Sequence, residues 1–139
     1  MASLVYNSMV DDVARNSIDF DTDTFYLMLV TSTYVPDKDL HTRRSDVTNE
    51  VVGAGYSADG SATACTVTKV TATDQVTVAF ATTAWVTATI TARGGVIYKR
   101  RGGLSSADEL VAYVDFGANI TSTADTFTVT FSSPITFQN

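Results

Sequence analysis

Three aspartates at alternate positions, Asp19, Asp21 and Asp23, have the D-x-D-x-D spacing that opens an oxygen-ligated cation loop. Carboxylates spaced this way can converge on one hard cation. An EF-hand also needs a glycine at the sixth position and a glutamate at the twelfth. Counted from Asp19, those positions hold Thr24 and Val30, and the residues from Thr24 onward have the character of a buried strand. The run therefore reads as an acidic turn between a helix and a strand, with cation ligation as its alternative.

Nucleophilic catalysis needs a nucleophile, a base and an orienting group. The chain has one histidine, His41, in a polar stretch, and one cysteine, Cys65, in a threonine-rich strand. No G-x-S-x-G elbow is present. One histidine and one cysteine cannot build a zinc centre. Gly94-Gly95 and Gly102-Gly103 match neither a dinucleotide-binding loop nor a P-loop. A glycosidase-type acid pair carries no motif, because two acids distant in sequence can meet in the fold. The chain is thus expected to be a non-enzyme without a cofactor or a catalytic metal.

The sharpest local signal is basic. Lys99, Arg100 and Arg101 run together beside Gly102-Gly103, and Arg43-Arg44 form a second pair. Two readings stand side by side: these residues dock on an acidic surface of a partner, or they are solvated turns. For Arg43 and Arg44, the neighbouring Asp37, Asp39 and Asp46 are the expected counter-charges.

These residues belong to a chain of 139 residues and net charge −6. That length fits one domain with a real core. The acidic balance argues against general nucleic-acid binding, which needs a positive footprint. Charged residues are 17% of the chain, a low fraction. Threonine is roughly one residue in six, well above ordinary usage. It suits the pleated, half-buried face of a sheet and keeps that face polar without adding charge. One cysteine allows no intrachain disulfide. No apolar run reaches the ~18–20 residues of a membrane span, and Met1-Ala2-Ser3-Leu4 lacks a signal-peptide start. Synthesis in a cytoplasm is the expectation.

Hydrophobic spacing gives the elements. Val5, Met9 and Val13 recur every four residues, predicting a short helix over about Tyr6–Ser17 with Asn7 or Ser8 as cap. It would cover one end of a sheet or project as an arm of about residues 1–20. Thr24–Thr31 is apolar on both faces, as in a central strand. A long polar stretch, about Ser32–Asn49, follows; such loops are often functional. Further strands are predicted over Val51–Tyr56, Ala62–Thr71 and Gln75–Thr82, with turns at Asp59-Gly60 and Thr73-Asp74. From Trp85 to Arg93 the alternation puts Val86, Ala88, Ile90 and Ala92 on the apolar face. Gly94-Gly95 is either a bulge, after which Val96 and Tyr98 rejoin that face, or a turn. Glu109–Phe116 is apolar on both faces. Phe127, Val129 and Phe131 face inward in the last clean strand, and Ile135 and Phe137 continue the set. About eight strands with a short N-terminal helix predict a single mainly β domain, 1–139, an antiparallel β-sandwich or jelly roll.

The stretches ARNSIDFDTDTFYLMLVTSTYVPDKDLHTRRSDVTNEVVGAGY, WVTATITAR and ADELVAYVDFG carry a resemblance. Over about Asn7–Asn139 the chain resembles small virion proteins of tailed bacteriophages, and is similar to the capsid cement, or decoration, proteins of podophages such as those of Bordetella. Gly94-Gly95 departs from the bulkier residues of that pattern. The resemblance implies a β-sandwich on the exterior of an HK97-type capsid, often a homodimer, with the major capsid protein as partner and no role for nucleic acid or membrane. A tail or neck component is the nearest alternative. A carbohydrate-binding module for host attachment is another, and it requires an exposed Trp85 or Tyr56. A small hydrolase would require an acid pair in a cleft.

Overall fold

The structure, a computed structural model, describes residues 2–139. The chain is mainly β, with every sheet pairing antiparallel. Its elements are β1 (Leu4–Val5), α1 (Asn7–Ala14), β2 (Phe25–Val30), β3 (Ser61–Thr63), β4 (Cys65–Val70), β5 (Gln75–Phe80), β6 (Thr83–Lys99), β7 (Leu110–Val129) and β8 (Ile135–Gln138). A five-stranded sheet has the order β1-β7-β6-β2-β3, and a three-stranded sheet the order β4-β5-β8.

The long hairpin of β6 and β7 is the spine. β2 lies at its side, Leu27 opposite Ile97 and Val30 opposite Gly94. The double-sided apolar character of β2 is explained by burial on both faces. Phe25, Leu27 and Leu29 join one cluster with Val78 of the smaller sheet, Trp85, Ile97 and Phe127. Met28 and Val30 join a second, on the opposite face, with Tyr6, Tyr34, Val96, Tyr98, Leu110 and Tyr113. The smaller sheet covers the first face. The segment around Tyr34 and the residues just before α1, Leu4 and Tyr6, cover the second.

The helix is shorter than the spacing predicts and begins after Tyr6, which gives no side-chain cap. Of its two expected placements it takes the first: Met9 is buried against the core, and the backbone amide of Tyr6 donates to the Val111 carbonyl.

Several expectations are corrected. Val51–Tyr56 is not a strand; its backbone meets the sheet in an isolated bridge of Ala54 with Thr89, next to one of the preceding Glu50 with Val30. Ala62–Thr71 is interrupted at Ala64 and its two pieces serve different sheets. Thr87 has φ 51°, so the alternation slips there: Trp85 turns inward and Val86 is 70% exposed. Gly94-Gly95 is not a turn, since β6 runs straight through it. A register shift between Ala92 and Gly94 changes which side chains face which way. Ile97, not Val96 or Tyr98, therefore shares the cluster of Ala88, Ile90 and Ala92. The smallest residues sit where neighbours press closest: the ring of Tyr113 covers Gly94, and Leu27 abuts Gly95.

Candidate functional site

At one end of the large sheet, the polar segment of residues 32–49 meets the connection between β6 and β7. The two are tied by backbone. Arg43 pairs with Glu109, the Arg44 amide donates to the Asp108 carbonyl, and the Leu110 amide donates to the Thr42 carbonyl. Both connections contain a single 3-10 turn, Arg44–Asp46 and Ser105–Ala107.

All five basic residues singled out in the sequence gather at this end, and each is matched by an acid of the same chain. Arg43 Nη1 and Nη2 donate to the two oxygens of the buried Asp12 at 2.8 and 3.2 Å. Arg44 Nε donates to Asp108 at 2.8 Å, and its Nη1 reaches Asp59. Lys99 Nζ lies 2.8 Å from Asp23 and donates to the Ser17 carbonyl at 2.6 Å. Arg100 meets Asp59 at 3.5 Å and lies over the Tyr26 ring, 4.6 Å from its centroid. Arg101 grips the buried Glu109 carboxylate through Nε and Nη2. Burying acids such as Asp108 and Glu109 is tolerable only with such partners. The expected counter-charges for Arg43 and Arg44 were wrong: Asp12, Asp59 and Asp108 take that role, not Asp37, Asp39 or Asp46.

Those three aspartates do other work. Asp37 accepts the amides of Leu40 and Asp39, which hold its carboxyl below the usual range. Burial pushes the Asp46 carboxyl up, but the amides of Thr42 and Arg43 outweigh it and the net direction is down. Asp39 bonds Asn7 and Lys38. The loop is thus folded on its own side chains and stacked with aromatic rings. Tyr34 Oη bonds Tyr6 Oη at 2.8 Å and His41 Nδ1 at 2.9 Å, and the Asp37 amide donates to the same nitrogen. The single histidine is therefore held by the core.

Asp59 is the hub that sequence reading underrated. Its left-handed backbone (φ 74°) sits in the expected Asp59-Gly60 turn. Its carboxylate takes Arg44 and Arg100, its carbonyl accepts the Tyr98 hydroxyl at 2.6 Å, and its amide donates to Glu50 at 2.7 Å. The available signal was that turn: an aspartate tolerates a left-handed position better than most residues.

The D-x-D-x-D run closes on itself. Asp19 Oδ1 accepts the Asp21 amide, Asp23 Oδ2 accepts the Asp19 amide, and Asp23 also holds Lys99. Among the described residues no cluster of three or more His, Cys, Asp or Glu side chains has metal-holding geometry. Cys65 is half-buried, and burial pushes its thiol up to about 11, against thiolate chemistry.

No protein-family model matches this chain, and no curated protein or solved structure matches it either. The site must therefore be read from its geometry. That geometry is a braced platform. With the charges paired inward, Leu40 and Leu104 remain on the outside of the two tied connections, 75% and 78% exposed. Gly102 and Gly103 beside Leu104 have open space around them. Trp85 is buried, and the half-buried Tyr56 packs on it with its hydroxyl donated to Glu50. No helix among the described residues is long and apolar enough to cross a membrane.

Proposed function

We propose that this chain is a structural virion protein of a tailed bacteriophage, a cement subunit that binds the major capsid protein on the exterior of the shell. The observation that carries the reading is the braced loop pair, which presents exposed leucines on a rigid base. Arg43, Arg44, Lys99, Arg100 and Arg101 act here by fixing the loops against Asp12, Asp59, Asp108, Asp23 and Glu109. A loop held before binding loses less entropy on docking.

The magnitudes fit a repeated contact. Burying one leucine contributes roughly 1.5–3 kcal/mol. Leu40 and Leu104 therefore supply a modest affinity per subunit, and many copies on one shell make the total large. The two sheets are read as an open β-sandwich, with the threonine-rich strands as a neutral exterior. The resemblance to podophage cement proteins supports the same reading. The nearest alternative is a tail or neck component, which the same braced surface would serve.

The deciding experiment mixes the purified protein with phage particles of its own source and images them by cryo-electron microscopy. The expected result is regular density over capsomer junctions, lost in a Leu40→Asp, Leu104→Asp double variant that still folds. Density at the tail alone would replace the capsid reading with the tail alternative. Absence of density would overturn both.

A further inference from the structure

The small sheet ends in an unguarded edge. β8 is its last strand and pairs only with β5, Gln138 opposite Gln75 and Ile135 opposite Val78. The Asn139 amide donates to the Asp74 carbonyl. Bonded residues alternate along an antiparallel ladder, so Phe137 and Ile135 also bond toward β5. The amides and carbonyls of Thr136 and Gln138 point the other way, where no strand of the described residues lies. The far edge of the same sheet carries a guard: β4 holds Lys69, whereas β8 (ITFQ) has no charge.

A hollow of about 390 Å³ runs beside this edge. Consecutive residues of β8, Ile135 and Thr136, line it, as do consecutive residues of β1, Leu4 and Val5. Neighbours in a strand point to opposite faces, so the hollow lies along both strand edges and not over one face. It is the gap between the two sheets, and Phe80 of the smaller and Ile97 of the larger also line it. A second hollow of about 630 Å³ adjoins it, sharing Ser3, Val114, Phe131 and Ser133.

We infer that this gap takes an extended, uncharged, apolar segment of a partner protein, which adds to β8 as a fourth strand of the small sheet. Charge and hydrogen bonding select that occupant. Among the described residues the two hollows are lined by one charged side chain, Asp115, and Arg93 holds it. A lysine or glutamate entering the gap is buried without a counter-charge, which is costly. The outer edge of β8 offers amides and carbonyls that a strand satisfies and a hydrocarbon chain does not. Alternate side chains of the added strand fill the hollow and the others face solvent. The fitting pattern is therefore apolar residues alternating with neutral polar ones.

The test uses the purified full chain and needs no particle, so it is independent of the cement reading. A display library of random short peptides is panned on the protein. Enriched peptides should alternate apolar and neutral polar residues, with Lys, Arg, Asp and Glu depleted. When such a peptide binds, hydrogen exchange of the Thr136 and Gln138 amides should slow. The Ile135 and Phe137 amides, already bonded within the sheet, should change little. Thr136→Pro removes an outward amide and sets a ring where the added strand must lie. It should weaken peptide binding on the order of tenfold or more. Thr136→Lys, on an exposed side chain, should weaken it likewise while keeping every β5–β8 bond, so a fold disturbed by proline does not spoil the test. Thr68→Lys on β4 should leave binding unchanged. A library that yields no binding peptide overturns the inference. So do enriched peptides of high charge, or bound peptides that leave exchange at Thr136 and Gln138 unchanged. Slowing that follows chain concentration without any peptide also overturns it, because a second copy then fills the gap.

Discussion

Gly94 lies under the ring of Tyr113 so closely that a Cβ built on it would stand 2.5 Å from the tyrosine hydroxyl oxygen. The ring is buried and is itself packed edge-on against Tyr34 at 6.0 Å. Gly94→Ala should therefore destabilise the fold by roughly 1–3 kcal/mol, the usual cost of overpacking a core. Urea denaturation followed by tyrosine and tryptophan fluorescence would measure it. An unchanged midpoint would mean that the ring can shift, and the close approach would carry no energetic weight.

That contact also shows where sequence reading stops. Strand β2 was legible because both its faces are apolar, and the end of β7 because Phe127 and Val129 alternate with threonines. The orientation of Val86 and of Val96 and Tyr98 was not legible. It depends on a left-handed backbone at Thr87 and a register shift before Gly94, neither of which changes the local composition. The braced loops were legible as long and basic, yet their partners were not. Arg44 finds Asp108 64 residues away and Arg43 finds Asp12 31 residues away, whereas sequence proximity nominated Asp37, Asp39 and Asp46. Charge pairing at such separations is set by the fold, so the sequence shows the charges without their pairing.

The Arg44 bridge should be the most costly of these pairs to break. Its side chain is mostly buried, and Asp108 more so. Arg44→Ala leaves an uncompensated carboxylate in the interior, a loss of about 3–5 kcal/mol. The Arg101 amide still donates to Asp108, which places the expectation at the lower end. Adding Asp108→Asn removes the stranded charge and should recover part of the loss. A double-mutant cycle by chemical denaturation checks this, and strict additivity would show that the two groups are not coupled.

Thr87 should gain from replacement. A β-branched residue at φ 51° is strained, and Thr87 is exposed, so few contacts are lost with it. Thr87→Gly is expected to raise stability by up to about 1 kcal/mol, net of the extra entropy of glycine in the unfolded chain. A lower melting temperature would mean that the threonine makes contacts that outweigh the strain.

Acid should loosen the 32–49 segment first. Asp37 and Asp46 are both held below the usual carboxylate range in the folded state. The folded chain therefore binds fewer protons than the unfolded one at these sites. Their stabilisation is complete above the unfolded value near 3.9 and is lost as pH falls through the folded values. Hydrogen exchange should show the amides of residues 39–43 losing protection below about pH 4. Asp37→Asn and Asp46→Asn should each remove part of that pH dependence. Protection that is flat between pH 5 and 3 would contradict this.

Glu50 should behave in the opposite sense. Burial pushes its carboxyl up, and the bonds from the Tyr56 hydroxyl and the Asp59 amide only partly offset this. A raised folded value means that the folded state holds the proton more tightly. The associated stability is present below the unfolded value near 4.3 and is lost as pH rises through the folded one. At neutral pH the ionised Glu50 is thus a net cost. Glu50→Gln keeps the Oε1 acceptor that serves both Tyr56 and Asp59 and removes the charge. It gives up some attraction to Arg44, a smaller effect on this group. After allowance for partial solvent screening, the variant should be more stable at pH 7 by up to about 1 kcal/mol. The advantage should shrink as pH falls toward 4, where the wild-type carboxyl is mostly protonated in both states. Thermal melts of the two proteins at pH 4 and pH 7 make the comparison. A glutamine variant less stable at pH 7 would mean that the charge on Glu50 is used, most directly to hold Arg44 in the platform.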